Sequence, residues 1–216
     1  MNAVHVVTHL EDGLAALLAY ACRGVVQVRT ASGFGTGVVW RADAEAVEVV
    51  TNAHVVVREA RQGVVQVVTH GRQQGVARVA IFKPEVDLAL LRIEHPHELD
   101  AQAVPALPFD TDGRPRVGEL VFAIGNPRGE PHVITMGVLS AWSEALAGGR
   151  RIPVLRSDVL LAPGNSGGPL LNARGSVIGI NALIVGGDQS VSIPAPVVCE
   201  ALDLRRWHTK PTMRAA

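Results

Sequence analysis

Hydrophobic residues near the start of the chain recur with the period of one helix face. The apolar positions that share this face are Leu10, Leu14, Leu17, Leu18 and Ala21. Such spacing is typical of a helix with one side against a core. Gly24 stands just beyond the pattern, where a glycine commonly ends a helix. The pattern predicts one short amphipathic helix at the beginning of the fold.

Short segments rich in β-branched residues fill most of the remaining chain and predict two blocks of strands. The first block contains residues 25–30, 37–40, 47–51, 64–69, 76–82 and 88–93. The second contains residues 120–124, 132–140, 151–156, 169–171, 177–181 and 189–193. Residues 94–117 between the blocks are rich in Pro, His and Asp, which predicts a linker, and a final helix is predicted over residues 195–204.

This pattern indicates an all-β fold. Six antiparallel strands in each of two blocks, with few long helices, favour two small barrels or sandwiches over a parallel α/β sheet. The cleft between the blocks is the expected binding site, because ligand sites concentrate at such junctions.

Composition and charge narrow the class of protein. The 216 residues are 48% hydrophobic and 19% charged, which permits a sizeable core and excludes disorder. The 20 Lys and Arg residues balance 20 Asp and Glu residues, so the charge favours neither nucleic acid nor an anionic membrane as a partner. Two cysteines, Cys22 and Cys199, exclude a disulfide-dense scaffold and a CxxC motif, and leave open whether they pair.

The first residues predict a cellular location. The apolar run over residues 14–22 is too short to cross a bilayer, which takes about 20 residues. No Lys or Arg precedes it between Met1 and Leu10, whereas a secretory signal begins with a positively charged region. If Met1 is the natural start, we expect a cytoplasmic protein; if a leader has been removed, we expect a periplasmic or extracellular one.

Three stretches carry residues suited to nucleophilic catalysis. They are residues 51–56 (TNAHVV), 87–91 (DLALL) and 163–170 (PGNSGGPL), and they contain His54, Asp87 and Ser166. The first two stretches lie in the first strand block and the third lies in the second block. A cleft between the blocks can therefore bring the three side chains together as a triad.

On these stretches the sequence closely resembles the trypsin-like serine proteases, and specifically the HtrA (Deg) family, over roughly residues 10–204. Further matching stretches are residues 35–39 (GTGVV), 116–119 (RVGE), 123–127 (AIGNP) and 177–181 (VIGIN). The resemblance implies a chymotrypsin/trypsin-like double six-stranded antiparallel β-barrel, with short N- and C-terminal helices and a catalytic cleft between the barrels.

The resemblance also implies the domain organisation. We expect one protease domain over residues 1–216, with a first barrel over residues 24–100 and a second over residues 115–194. Residues 195–216 are expected to form a C-terminal helix and tail. HtrA proteins usually continue into PDZ domains, whereas this sequence ends at Ala216, so the expectation is a protease domain alone.

The chemistry of peptide-bond hydrolysis assigns a role to each of these residues. Ser166 is the expected nucleophile, His54 the base that takes its proton and later returns it, and Asp87 the group that orients the imidazole. The oxyanion hole is expected at Gly164, Asn165 and Ser166, with the N–H groups of Gly164 and Ser166 as donors. The alternative hypothesis is a non-catalytic or partner-activated scaffold that binds peptide in the same cleft.

The resemblance places the substrate pocket in three segments around the serine. Its residues are expected to be Leu160, Leu161, Ala162, Ile180, Asn181, Val191, Ser192 and Ile193. None is charged, so a charged substrate side chain would lose its hydration there without gaining a partner. We expect a small aliphatic side chain before the scissile bond. Leu160 on the pocket floor would narrow the preference to Ala or Val over Leu or Phe.

The expected partner is a polypeptide substrate, without nucleic acid, membrane, cofactor or metal. His95, His97, Glu98 and Asp100 cluster in the linker, but Pro96 interrupts a helical face and neither an HExxH motif nor a Cys partner is present. HtrA protease cores often trimerise through aromatic residues near the N-terminus. None precedes Leu10, so the sequence does not support a homotrimer.

Overall fold

A computed structural model of the chain describes residues 3–31, 33–61, 63–96, 99–100, 103–147, 149–185 and 189–204. Within these residues, helix α1 (Ala3–Arg23) begins the fold and helix α2 (Ala195–Ala201) ends it. No described helix combines the length and the hydrophobicity that crossing a bilayer requires. The predicted tail beyond residue 204, together with His97 and Glu98 of the linker cluster, lies outside the described residues.

The first barrel consists of six antiparallel strands in valine-rich segments. They are β1 (Val25–Thr30), β2 (Gly33–Ala42), β3 (Ala46–Thr51), β4 (Val64–Val68), β5 (Gln74–Lys83) and β6 (Leu88–Glu94). Their order around the barrel is β1-β2-β3-β6-β5-β4, and β4 pairs with β1 to close it. Valine favours such strands because a branched side chain packs well on a pleated surface.

The second barrel repeats this order. Its strands are β7 (Leu120–Gly125), β8 (Val133–Ala147), β9 (Arg150–Ser157), β10 (Pro169–Asn172), β11 (Val177–Val185) and β12 (Gln189–Pro194). They follow one another as β7-β8-β9-β12-β11-β10, and β10 pairs with β7. The predicted all-β fold of two six-stranded antiparallel barrels is therefore confirmed.

Helix α1 is longer than the short helix predicted from its apolar positions. It has 21 residues, and Leu10 within it is 60% exposed. The residues that pack on the barrels are Leu14, Leu18, Ala21 and Cys22. The hydrophobic pattern coincides with this packed part at Leu14, Leu18 and Ala21 but includes the exposed Leu10. The exposed turns before it need no apolar face. The N–H of Gly24 is donated to the carbonyl of Ala21, so the helix ends where the glycine predicts.

The largest hydrophobic cluster joins the two barrels to each other and to both helices. Its first-barrel members are Val25, Val38, Val50, Leu88 and Leu90, and its second-barrel members include Phe122, Ile124, Leu171, Ile180 and Ile193. The cluster also contains Cys22 of α1 and Cys199 of α2, and neither cysteine forms a disulfide. Burial raises the pKa of the Cys22 thiol, because a thiolate is poorly solvated there. Burial of this apolar surface holds the barrels in one arrangement.

The linker between the barrels is packed against both of them. Leu99 is buried in the core of the first barrel, and Leu107 is buried in the cluster that joins the barrels. Phe109 forms a backbone bridge with Val177 of β11. Its ring meets Trp40 of β2 edge to face, with the ring centroids 4.9 Å apart. The linker therefore adds a further restraint on the relative position of the barrels.

His132, between β7 and β8, also connects the second barrel to the first. It has a φ of 58°, and its Nε2–H is donated to the carbonyl of Val25 on β1 at 3.0 Å. Burial lowers the pKa of His132 below its ordinary value of 6.5, and nearby His70 lowers it further, although the bond to Val25 acts in the opposite direction. The fold therefore stabilises the neutral imidazole.

We expect the replacement His132→Asn to reduce the dependence of stability on pH. Below pH 6.5 the unfolded chain takes up a proton at this position before the folded chain does. The contribution of His132 to the free energy of unfolding is thus present above that pH and is lost as the pH falls through the lowered pKa. Asparagine tolerates the positive φ, so the backbone can stay unchanged.

Urea denaturation of both proteins from about pH 7.5 to about pH 5 measures this effect. The difference in unfolding free energy between parent and variant is expected to be largest at the highest pH of this range and to decrease as the pH falls. A difference that stays constant with pH, or that grows in acid, contradicts the prediction.

Candidate active site

His54 and Asp87 come from neighbouring loops of the first barrel. His54 lies in the 3₁₀ turn Ala53–Val55 directly after β3, and Asp87 follows the 3₁₀ turn Pro84–Val86 directly before β6. Because β3 and β6 pair, the two loops meet at one end of the barrel. Nδ1 of His54 lies 2.8 Å from Oδ2 of Asp87, and the backbone N–H of His54 is donated to Oδ1 at 3.0 Å.

Asp87 is held in a left-handed backbone conformation, with φ 55° and ψ 43°. Aspartate tolerates this region better than most residues. The side-chain N–H of buried Asn52 is donated to the carbonyl of Asp87 at 2.9 Å, which ties the aspartate loop to the histidine loop. With Nδ1 of His54 directed at the carboxylate, the neutral imidazole keeps Nε2 as its proton-accepting nitrogen.

Ser166 lies just before β10 in the second barrel. Its carbonyl accepts the N–H of Thr36, on β2 of the first barrel, at 2.9 Å. Its hydroxyl is donated to the carbonyl of Ala182 at 3.1 Å. In the part of the chain that the structure describes, no hydrogen bond joins Ser166 to His54. The histidine–aspartate pair is thus formed, while the serine hydroxyl is directed to another acceptor.

The loop that leads to Ser166 uses some of its backbone groups and leaves others unused. Every carbonyl of residues 162–166 accepts a hydrogen bond. The carbonyls of residues 162, 163 and 165 accept backbone N–H groups of Asn165, Arg128 and Gly168, respectively. Thr36 donates to the other two: its hydroxyl to the carbonyl of residue 164 and its N–H to that of residue 166. Among the described residues, the N–H groups of Gly164 and Ser166 have no partner. N–H and C=O point in opposite directions across a trans peptide, so the bonded carbonyls of residues 163 and 165 fix the directions of both unused N–H groups.

Asn165 lies between the two unused N–H groups of the predicted oxyanion hole, and its own N–H is already used. Its N–H is donated to the carbonyl of Ala162 at 3.0 Å, and the residue is 5% exposed. Gly164 has a φ of +104°, and a Cβ at this position would lie 2.5 Å from the carbonyl oxygen of Asn126. Only glycine fits here without a shift of the loop.

The predicted pocket residues do not share one open surface. Those with side chains buried in hydrophobic clusters are Leu161, Ile180, Val191 and Ile193. Asn181 and Ser192 form a buried pair across β11 and β12, with the hydroxyl of Ser192 donated to Oδ1 of Asn181 at 2.9 Å. Side chains committed to these contacts cannot touch a substrate unless the strands move. Ala162 is half-buried.

The hypothesis that Leu160 fills the pocket floor is wrong. Its side chain is 75% exposed, and its carbonyl accepts the hydroxyl of Thr135 on β8 at 2.9 Å. The backbone of this segment is therefore fixed against β8, while the leucine side chain projects into solvent. The narrowed preference for Ala or Val over Leu or Phe loses its basis with it.

Thr36 and Asn126 are site residues to which the sequence analysis assigned no role. Both are fully buried and bonded to each other, and Thr36 also bonds to the loop of residues 162–166, called the oxyanion loop after its predicted role. The sequence signal for each is a polar residue beside glycine or proline. Thr36 stands between two glycines within an apolar strand, and Asn126 precedes Pro127. Both positions lie within stretches that resemble the family.

Comparison with known families matches residues 35–180 to a family of trypsin-like peptidase domains. The chain belongs to this family. The matched residues include His54, Asp87 and Ser166, and the matched region begins in β2 of the first barrel and ends in β11 of the second.

This trypsin-like peptidase domain is similar to HtrA-type proteases. A "Probable periplasmic serine endoprotease DegP-like" of Marinomonas sp. (strain MWYL1) is 36% identical over 160 residues, which are 72% of this chain and 32% of that protein. The structure of a serine endoprotease from Yersinia pestis has a TM-score of 0.71 at 26% identity, covering 88% of this chain and 65% of that one. The HtrA-type protease AlgW with decapeptide has a TM-score of 0.74 over 90% of this chain and 68% of its own, and at 24% identity this likeness concerns the fold. The predicted HtrA-like protease domain is confirmed.

The relatives differ from this chain in extent and bear on its location. The chain spans about a third of the length of the curated relatives it matches. Their names place those proteins in the periplasm. The cytoplasmic location expected from the first residues is therefore not supported.

We expect Gly164→Ala to lower the free energy of unfolding by more than Gly118→Ala does. Both glycines have a positive φ, +104° and +90°, so each substitution carries backbone strain on the order of 1–3 kcal/mol. Nothing lies within 4 Å of a Cβ at Gly118, whereas a Cβ at Gly164 also meets backbone atoms of the loop that carries Asn126. Urea denaturation of the two variants compares them directly. Equal losses of stability would mean that the oxyanion loop is not closely packed.

Proposed function

We propose that the two barrels act as one protease domain that hydrolyses peptide bonds, with His54, Asp87 and Ser166 as its catalytic triad. The observation that carries the proposal is the pair of N–H groups at Gly164 and Ser166 that have no partner in the described chain. Unused donors beside a serine suit a reaction in which an oxygen gains negative charge. The 2.8 Å hydrogen bond between His54 and Asp87 supplies an oriented base.

In the proposed mechanism, Oγ of Ser166 attacks the carbonyl carbon of the scissile bond while Nε2 of His54 takes the hydroxyl proton. The carbonyl oxygen of the substrate becomes an oxyanion and accepts hydrogen bonds from the N–H groups of Gly164 and Ser166. His54 gives its proton to the departing amine nitrogen, the C–N bond breaks, and an acyl-enzyme remains. Water then attacks the acyl carbon while His54 takes its proton. The ester bond between the acyl carbon and Oγ of Ser166 breaks, the product leaves with a new carboxyl group, and His54 returns the proton to Oγ. Asp87 stabilises the imidazolium and takes no proton.

The hydroxyl of Ser166 must exchange one acceptor for another before it attacks. Its bond to the carbonyl of Ala182 is 3.1 Å long, whereas O–H···O bonds are usually about 2.7–2.8 Å. The net contribution of such a bond is about 1 kcal/mol, and the hydroxyl turns about a single bond. The exchange is therefore small in free energy compared with a catalytic barrier.

We propose unfolded or flexible polypeptides as the substrates, with a small aliphatic residue before the scissile bond. The His54 side chain is 46% exposed, so an extended segment can reach it. The family resemblance places the residue before the scissile bond beside segments 160–162, 180–181 and 191–193. None of these segments carries a charged residue that could pair with a charged substrate side chain. Since DegP-like relatives are described as periplasmic, we also propose that this protein acts outside the cytoplasm.

A fluorophosphonate probe tests the activity without knowledge of the substrate. The serine oxygen displaces fluoride from phosphorus, which requires an activated hydroxyl and a formed oxyanion hole. We expect the purified protein to take up one probe per chain and Ser166→Ala to take up none, as counted by intact mass. Ser157→Ala is a matched control in the same barrel. Its buried hydroxyl has no partner among the residues that the structure describes, so its loss leaves labelling unchanged.

Absence of labelling in a folded parent protein would contradict the proposal. The alternative of a scaffold that binds peptide without turnover would then stand, with the bond between Ser166 and Ala182 as its resting state. Labelling that persists in Ser166→Ala would place the reactive group elsewhere.

Peptide mixtures that vary in the residue before the scissile bond test the substrate preference. We expect cleavage after small aliphatic residues to exceed cleavage after Lys, Arg, Asp or Glu by about 100-fold or more, because a buried charge without a partner costs several kcal/mol. Mass spectrometry of the products gives the preference, and Ser166→Ala provides the blank. Preferred cleavage after a charged residue refutes the proposed preference.

A further inference from the structure

We propose that Thr36 is a positioning residue for the oxyanion hole. Its side chain, on β2 of the first barrel, orients the peptide between Gly164 and Asn165 in the second barrel. The inference rests on the proposed function, because it assigns the N–H of Gly164 a role in stabilising the oxyanion. Thr36 itself is not proposed to touch the substrate.

Thr36 holds the oxyanion loop at two points. Its hydroxyl is donated to the carbonyl of Gly164 at 2.6 Å, and its backbone N–H is donated to the carbonyl of Ser166 at 2.9 Å. The two bonds lie on either side of Asn165. The other bonds to the carbonyls of residues 162–166 come from residues of the second barrel and its loops. Thr36 thus provides the hydrogen bonds that connect the first barrel to the carbonyls of this loop.

The surroundings of the Thr36 hydroxyl leave its proton a single direction. The hydroxyl oxygen accepts the backbone N–H of Asn126 at 2.9 Å and its side-chain N–H at 3.1 Å. A hydroxyl has one proton and two lone pairs, so with both accepting sites used the proton goes to Gly164. Thr36 is fully buried, so water cannot replace the bond.

Gly164 needs this restraint because a glycine rotates more freely than any other residue. The carbonyl of Pro163, held by Arg128, fixes the peptide before Gly164, and the hydroxyl of Thr36 fixes the peptide after it. Without the hydroxyl, the carbonyl of Gly164 loses its hydrogen-bond partner, and the peptide after Gly164 is free to rotate. The two peptides share the Cα of Gly164, so that rotation also pulls on the peptide that Arg128 holds and shifts its N–H, the proposed oxyanion donor.

Thr36 is also tied to the loop of the catalytic histidine. The hydroxyl of buried Thr51 is donated to the carbonyl of Thr36 at 2.7 Å, and Thr51 stands three residues before His54. Thr36 is therefore hydrogen-bonded to the segment before His54, to the carbonyl of Ser166 and to the carbonyl of Gly164. This connection allows the first barrel to set the oxyanion hole relative to the base.

The pair Thr36→Ser and Thr36→Ala tests the inference, because the two variants differ only in the hydroxyl. We measure the second-order rate of fluorophosphonate labelling of the purified protein as a function of pH. Thr36→Ala is expected to lower the plateau rate by about 10- to 100-fold, which is less than the 10²- to 10³-fold cost of removing a donor. Thr36→Ser stays within about threefold of the parent, because it keeps the donor.

Two controls separate positioning from general damage. Thr69→Ala truncates another buried threonine of the first barrel, whose hydroxyl accepts the N–H of Gln73 in a turn, and its rate stays that of the parent. The midpoint of the pH profile stays unchanged in Thr36→Ala, because the bond between His54 and Asp87 is intact. If Thr36→Ala shows no cooperative urea transition, Thr36→Val replaces it and keeps the side-chain volume.

The outcomes distinguish this inference from the proposed function. A parent protein that is not labelled overturns both. A labelled parent with equal rates for the Ser and Ala variants overturns the inference alone. A rate loss in Thr36→Ala that comes from a shifted pH midpoint, with the plateau preserved, also overturns it, since Thr36 would then act through His54.

Discussion

The division of the proposed catalytic groups between two barrels is the constraint on which the rest of the structure depends. His54 and Asp87 belong to the first barrel, and Ser166 and the oxyanion loop belong to the second. Neither barrel can present a complete site by itself. The largest hydrophobic cluster accordingly contains side chains of both barrels and both helices, and the linker packs against each barrel in turn. Apolar burial between the barrels thus fixes the relative position that the proposed site requires.

Two kinds of interaction divide this task. Apolar burial is non-directional, so the shared cluster fixes the distance between the barrels but leaves the orientation of single groups only loosely determined. Hydrogen bonds are directional and weaken steeply when misaligned. The buried bonds of Thr36 and Asn126 cross from one barrel to the other and act on individual peptide groups. The hydrogen bonds of Thr36 to the carbonyls of Gly164 and Ser166 therefore fix the orientation of these peptides, which packing alone does not fix.

The sequence predicted much of this architecture and stopped where long-range geometry begins. Strands such as β1 and β9 were predictable because their β-branched residues and bounding turns are local signals. Strand β8 extends well past its predicted end into partly exposed residues, and an exposed strand carries little hydrophobic signal. His54, Asp87 and Ser166 stand in local motifs. The exposure of Leu160 and the role of Thr36 depend on register and on the docking of the barrels, which no local pattern contains.

The site also differs in rigidity between its parts, and the difference follows from the chemistry. Dipoles that stabilise an oxyanion are effective only when they are oriented before the charge forms, because reorienting them during the reaction would cost free energy. The oxyanion loop meets this demand, since every carbonyl from residue 162 to residue 166 is already bonded. The nucleophile needs no such restraint, because its hydroxyl reaches a new acceptor by rotation about one bond. If the proposed roles hold, a fixed oxyanion hole beside a serine still bonded to Ala182 is the arrangement expected of a resting protease, with the restraint placed where reorganisation would be most costly.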